Sequence, residues 1–266
     1  MSERSERPAY DSYTALAQRI ELGEVFARQI LATVRPWIAS PDEIDVLDVG
    51  SGYGGTAFAL SRHCRSVVGM EPALALHESA SKRIATTPHG RLRFVHGNVE
   101  ALEDVESYDL VVLDNVYEHV PDHDAALRCV RRALRPGGVV YILVPNRLWP
   151  IEAHYRLPFL AWLPLRVANF YLRCSGRGTD YRDASYAPTY WSLRRLLRRH
   201  GFEVEFRLPG EPAATMAGSP LHYRLGMRLL ACFPVFWCLS KALLVVAVKP
   251  TRGLNSLGHE ALGWDS

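Results

Sequence analysis

The residues with chemistry to offer fall into three sets along this 266-residue chain. The first is Val46-Leu47-Asp48-Val49-Gly50-Ser51-Gly52-Tyr53-Gly54-Gly55, an aliphatic run holding one carboxylate that breaks into glycines. Glycines let the backbone take positive φ and approach a ligand closely, and a helix starting after them offers unpaired N–H groups. The second is a pair of acids, Glu71 and Asp114, each closing an apolar run. The third is a set of groups able to move a proton, Glu118-His119 and, further on, His154. A neutral imidazole near pH 7 can accept a hydroxyl proton, which makes His154, and after it His119, the candidate bases.

Charge chooses the ligand. Gly50, Gly52 and Gly55 satisfy the spacing of dinucleotide-binding loops, a weak signal taken alone. Asp48, two positions before the first glycine, repels a pyrophosphate bound above the loop and attracts an ammonium or a sulfonium. S-adenosylmethionine carries both cations and no phosphate. Glu71, 19 residues beyond Gly52, stands where a carboxylate accepts from both hydroxyls of a ribose, which either ligand presents.

The elements that position these groups alternate. The β-branched and aliphatic runs at 46–49, 66–70, 92–95, 108–113 and 139–144 predict buried parallel strands. Between them, 56–63, 73–85 and 125–134 predict helices, the last with arginines on its outer face. Arg135-Pro136-Gly137-Gly138 predicts a turn into the fifth strand, because proline fixes φ and glycine supplies unusual dihedrals. One or two helices between Thr14 and Trp37 precede the first strand, either covering the cofactor cleft or packed on the sheet.

Asp48-Val49-Gly50-Ser51-Gly52-Tyr53-Gly54 resembles the first motif of class I S-adenosylmethionine-dependent methyltransferases. The resemblance continues through Val67-Val68-Gly69-Met70-Glu71-Pro72, His96-Gly97-Asn98-Val99 and Tyr108–Asn115. Glu118-His119-Val120 and Leu134-Arg135-Pro136-Gly137-Gly138 complete it, over about residues 40–146. It implies a doubly wound, Rossmann-like α/β fold: a seven-stranded sheet with an antiparallel last strand at its edge and a helical insertion after the fifth strand. By resemblance Asp48, Gly50, Ser51, Gly52, Gly54, Glu71, Pro72, Asn98, Val99 and Asp114 hold S-adenosylmethionine. Asn98 stands where the family usually carries Asp, and its amide oxygen can still accept from the adenine amino group. Val116–Asp122 is similar to the segment of small-molecule methyltransferases that includes the ubiquinone-pathway enzymes. Some of those hold a divalent ion with a Glu three residues before the Glu-His pair. Here that position is Asn115, so no metal is carried over, and Glu118 and His119 are expected to cap or orient the next helix.

Bulk properties narrow the class. The 48% hydrophobic and 22% charged content suits a folded soluble protein, and a net charge of +3 is too small to argue for nucleic acid. Five cysteines in no ligand spacing read as free thiols in a reducing compartment, and the charged start lacks the apolar stretch of a secretory signal, so the cytoplasm is expected.

Beyond Pro145 the pattern changes. Residues 147–188 are aromatic and proline-rich, which predicts an acceptor lid over a greasy or aromatic substrate, or else a small helical subcore. A helix over 189–200 ends at Gly201, and 202–206 alternates like a one-sided strand. Residues 221–240 predict a buried or interfacial helix, with Phe233, Phe236 and Trp237 able to make a peripheral membrane contact. Lys241 and Pro234 argue against a transmembrane span there, and 242–248 suits the last strand. One domain over residues 1–250 with a mobile tail at 251–266 is expected. The expected activity is methyl transfer, foremost to oxygen, on a small-molecule or lipid-like acceptor. The alternatives are an NAD(P)-linked oxidoreductase and a methyltransferase-like module that binds without turnover.

Overall fold

The structure is a computed structural model and describes residues 13–86, 90–209, 226 and 233–251. Five parallel strands, β1 (Asp45–Val49), β2 (Ser66–Glu71), β3 (Leu92–His96), β4 (Tyr108–Asp114) and β5 (Leu134–Pro145), form one sheet with β6 (Glu203–Arg207) and β7 (Ala242–Val248). The order is β3-β2-β1-β4-β5-β7-β6, and β7 runs antiparallel to both neighbours. The strand order reverses between β1 and β4, the point at which a doubly wound sheet opens a crevice at its carboxyl edge.

Alternation along each strand divides the core. Leu47 and Val49 of β1 and Val111 and Leu113 of β4 face one layer, while Val46, Leu110 and Val112 face the other. The first layer is closed by α4 (His123–Ala133) and α6 (Tyr190–Arg199), the second by α1 (Tyr13–Val34) and α2 (Gly55–Leu60). Helix α3 (Leu74–Thr86) joins β2 to β3. Helix α1 lies against α2, where Gly23 sits so near Gly55 that a Cβ on it would come within 2.5 Å of the Gly55 carbonyl. The start of α2, and with it the glycine loop, is braced from behind.

Three sequence expectations need correction. Arg135-Pro136-Gly137-Gly138 is not a turn before β5 but an irregularity inside it, since the strand begins at Leu134 and its register against β4 shifts between Tyr108 and Leu110. Gly137 keeps a positive φ of 82°, and Arg135 ties the irregular stretch to the sheet, reaching Asp45 of β1 at 2.9 Å and Asp109 of β4 at 2.6 Å. Second, β7 does not lie at the sheet edge. Its unbroken apolar sequence is buried between β5 and β6, and the alternating β6 takes the edge. Third, Pro234–Leu239 is a short 3-10 helix, whereas most of the helix expected over 221–240 lies outside the described residues, as does the tail after Thr251. No helix among the described residues is long and apolar enough to cross a membrane.

Between β5 and α6 the chain forms α5 (Leu165–Cys174) and two single 3-10 turns, Leu160–Trp162 and Arg182–Ala184. Leu157, Leu160, Ala168, Leu172, Tyr181 and Ala184 pack into a core of their own. The insertion thus has a small core of its own, and its Asp183 also meets His119 beyond the end of β4.

Candidate active site

The glycine loop follows β1 directly and bends over the sheet. Gly50, Gly52 and Gly54 all have positive φ, but they serve different neighbours. A Cβ on Gly50 would meet Val116 at 2.5 Å, and one on Gly54 would enter the Phe94 ring. A Cβ on Gly52 would meet nothing within 4 Å, so Gly52 alone fronts open space. Ser51 donates its N–H to the Met70 carbonyl at 3.0 Å, and its hydroxyl oxygen is buried with no hydrogen-bond partner among the described residues.

Three carboxylates face this loop. Glu71, at the end of β2 and 5% exposed, accepts from Gly52 N–H through Oε2 at 2.9 Å and from Ala73 N–H through Oε1 at 2.8 Å. It fastens the loop, and each oxygen keeps a lone pair for a further donor. Asp48 is buried, and its Oδ2 has no hydrogen-bond partner among the described residues. Burial first, then repulsion from Asp114 and Glu71, push its carboxyl up from 3.8 to about 8, offset in part by the Ala57 amide. Asp114, half-buried at the end of β4, is pushed up to about 6 by burial against an opposing hydrogen bond from Asn115. Three acids with no cation paired to them among the described residues, and one unpartnered buried oxygen, suit a positively charged ligand. The residues present therefore fit S-adenosylmethionine. Pro72 follows Glu71 and accepts from His96 Nε2 at 3.0 Å. Asn98 is exposed just beyond β3, and Val99 is buried beneath it.

Beyond Asp114, Asn115 takes φ 53° and turns its amide back to the Asp114 carboxylate at 2.8 Å. A 3-10 turn, Tyr117–His119, then buries Glu118 completely. Glu118 and His119 do not cap α4. Asp122 does so, accepting from Ala125 N–H at 2.9 Å. The insertion brings His154 to the same place: Glu118 Oε1 lies 3.7 Å from His119 Nε2 and 3.8 Å from His154 Nε2. The two rings meet edge to face with centroids 5.1 Å apart. His119 Nδ1 reaches the Asp183 carbonyl at 2.7 Å and His154 Nδ1 reaches Glu152 Oε1 at 2.9 Å. The two candidate bases, 35 positions apart in the chain, are thus neighbours. This trio offers one carboxylate oxygen and two imidazole nitrogens within 4.8 Å of one another, a spacing that could hold a divalent ion. His154 also borders a cavity under the insertion that Trp149, Ile151 and Tyr181 help to line.

Sequence reasoning missed Glu152, Phe94 and Asp183. Glu152 could have been found two positions before His154, a carboxylate placed to cap its own loop. Phe94 gave no signal, because its contact with Gly54 depends on the pairing of β2 with β3.

A seven-stranded sheet with β7 antiparallel beside β5, and an acid-lined glycine loop at its switch point, form the arrangement that the resemblance to class I S-adenosylmethionine-dependent methyltransferases implies. Residues 47–142 match the family described as Methyltransferase domain. It is 31% identical over 125 residues to the ubiquinone biosynthesis O-methyltransferase of a Bradyrhizobium species, covering 45% of this chain and 48% of that protein. With the enzyme of the same description from Nitrobacter winogradskyi it shares 28% over 159 residues, 60% of this chain and 56% of the relative. The chain thus spans about half the length of these curated relatives. Among solved structures, an S-adenosylmethionine dependent methyltransferase from Mesorhizobium loti superposes with a TM-score of 0.58 at 18% identity, over 83% of this chain and 97% of that one. Phosphoethanolamine N-methyltransferase 2 of Haemonchus contortus, in complex with S-adenosyl-L-methionine, gives 0.57 at 17% identity, over 94% of this chain and 61% of that one. At such identities the likeness is one of fold.

Proposed function

We propose that this chain is an S-adenosylmethionine-dependent methyltransferase acting on a hydroxyl oxygen of a small-molecule or lipid-like acceptor. The observation that carries the reading is the meeting of two sets of groups at the carboxyl ends of β1, β2 and β4. The acids Asp48, Glu71 and Asp114 suit a cationic donor, and the His154–Glu118–His119 cluster beside them suits a proton-bearing acceptor.

When bound, the cofactor supplies an electrophilic methyl group. The chain's own work is then to hold and to orient. Asp48 and Asp114 offer negative charge to the cationic end, Glu71 and Pro72 serve the ribose side, and Asn98 and Val99 serve the adenine. Gly50, Ser51, Gly52 and Gly54 shape the loop beneath. An acceptor hydroxyl brought to the Glu118–His119–His154 cluster is within reach of His154, which takes the proton at Nε2. His119 flanks it. The same three carboxylates disfavour the NAD(P) alternative, since a pyrophosphate would sit among them.

The methyltransferase domain takes in residues 1–250, with 147–188 as the lid, and works in the cytoplasm. A lipid-like acceptor is supported by the lid's outer face. Phe159 and Trp162 pack together at 4.8 Å and are each about half exposed (49% and 48%), and Phe170 is 64% exposed. Phe233 and Phe236 are also exposed. Such patches mark contact surfaces, here for the edge of a membrane. The test is incubation of the purified protein with methyl-labelled S-adenosylmethionine and fractionated cell extract. Label in a lipid or small-molecule ether supports the reading. Label confined to protein, or bound cofactor with no transfer into any fraction, overturns it.

A further inference from the structure

Glu152 lies in the loop that presents His154, and nothing about the cofactor site requires it. The loop is closed at its base by an antiparallel bridge between Ile151 and Pro158. Inside it, Glu152 N–H donates to the Leu157 carbonyl at 3.0 Å, and Arg156 N–H donates to the Glu152 carbonyl at 3.1 Å. The Glu152 side chain is turned inward and is only 3% exposed. Its Oε2 accepts from the N–H groups of His154 (2.8 Å) and Tyr155 (2.6 Å), and its Oε1 meets His154 Nδ1 at 2.9 Å. One carboxylate therefore fixes both the backbone that carries the imidazole and the imidazole itself.

That arrangement has a chemical consequence. An ionised carboxylate only accepts hydrogen bonds, so the proton of a neutral His154 must sit on Nδ1. Nε2 is left with its lone pair, and Nε2 is the nitrogen that faces Glu118 at 3.8 Å and the His119 ring. We propose that Glu152 is the positioning residue of this site, holding His154 in the Nδ1–H tautomer with Nε2 aimed at the acceptor hydroxyl. The inference rests on the reading of His154 as the base. In the step it serves, the acceptor O–H bond breaks, an Nε2–H bond forms, and the imidazole becomes an imidazolium that later returns its proton to water. Glu152 holds the ring through both states, since Nδ1 carries a hydrogen in each.

The test combines turnover and spectroscopy on the full chain. Glu152→Gln keeps the size of the side chain but brings one carbonyl oxygen and an NH2 group, which cannot accept from both sides at once. Turnover with the acceptor should fall roughly 100-fold, while the dissociation constant for S-adenosylhomocysteine stays within about twofold. His154→Gln should fall by a similar factor, and the double variant should fall no further, as for two residues acting as one unit. In the unsubstituted protein, 15N-labelled imidazole spectra should place the His154 proton on Nδ1, and the Glu152→Gln spectrum should show that preference lost. An Nε2–H tautomer in the unsubstituted protein overturns the proposal without any variant having to fold. Full turnover in Glu152→Gln beside an inactive His154→Gln also overturns it and leaves the base reading standing. Full turnover in His154→Gln would instead remove the base reading itself.

Discussion

His154 stands 3.8 Å from the fully buried carboxylate of Glu118, measured from Nε2 to Oε1. In the proposed step Glu118 is the acid that faces the nitrogen taking the proton. Glu118→Gln keeps the shape and removes the charge. It should lower kcat about tenfold. Because the shape is kept, the melting temperature should change little. Steady-state kinetics and a thermal melt of the same preparation check this, and an unchanged kcat would detach Glu118 from the chemistry.

Asp48 and Asp114 make cofactor binding depend on pH. Their folded-state values, about 8 and about 6, lie above the ordinary 3.8, so the ligand-free protein holds protons that the unfolded chain would release. The sign follows from linkage: between about pH 4 and pH 8 the native state binds more protons, so ligand-free stability falls as pH rises. A cationic ligand needs the anionic form, so affinity should rise across the window from about 6 to about 8, with proton release on binding. Calorimetry at pH 7 in two buffers of different ionisation enthalpy measures that release. Asp48→Asn should weaken S-adenosylmethionine binding at pH 8 by about tenfold or more and flatten the profile.

Much of this was legible in the sequence because buried parallel strands are written as unbroken apolar runs. The ends of β1, β2 and β4 could be read to within a residue or two, and with them the acids Asp48, Glu71 and Asp114. The position of β7 was legible too, had its seven apolar residues been weighed against the alternation of β6, since an unbroken apolar strand suits the interior of a sheet covered on both faces and an alternating one suits its edge. What local pattern cannot encode is the meeting of distant segments. The approach of His154 to Glu118 depends on how the insertion folds back, and Arg135 reads as part of a turn until Asp45 and Asp109 are placed on either side of it.

Two glycines separate packing from binding. Gly69 has ordinary φ, yet a Cβ there would run into the Phe94 ring and approach Ser51 Oγ at 3.0 Å. Gly69→Ala should therefore destabilise the fold by about 1–3 kcal/mol through overpacking. Gly52 has φ 56° and open space in front of it. Gly52→Ala should cost only about 1–2 kcal/mol of backbone strain, but its methyl group enters the space above the loop. Urea unfolding and S-adenosylhomocysteine titration of both variants should rank them oppositely, Gly69→Ala being the less stable and Gly52→Ala the poorer binder. The same ranking in both measurements would mean that the open space is not where the ligand lies.

The base of the sheet is held by charge. Asp45, at the start of β1, meets Arg65 at 2.5 Å and Arg135 at 2.9 Å, with Ser66 donating at 2.7 Å. These partners, Arg65 first, hold its carboxyl well below the ordinary carboxylate range. A depressed value means that the stabilisation is complete above about pH 4 and is lost as pH falls below it. Arg135 joins this cluster to Asp109 of β4, so Arg135→Met leaves two carboxylates facing each other across β1 and β4 with Arg65 alone between them. Because the cluster is partly exposed, the cost at pH 7 should be about 1–3 kcal/mol, between that of a surface and a buried pair. The difference should shrink as the medium is acidified, because protonation removes in the unsubstituted protein what the variant already lacks. Urea midpoints from pH 3 to pH 7 test both parts. A gap between the two proteins that is constant over that range would mean that Arg135 acts through packing of its stem and not through its charge.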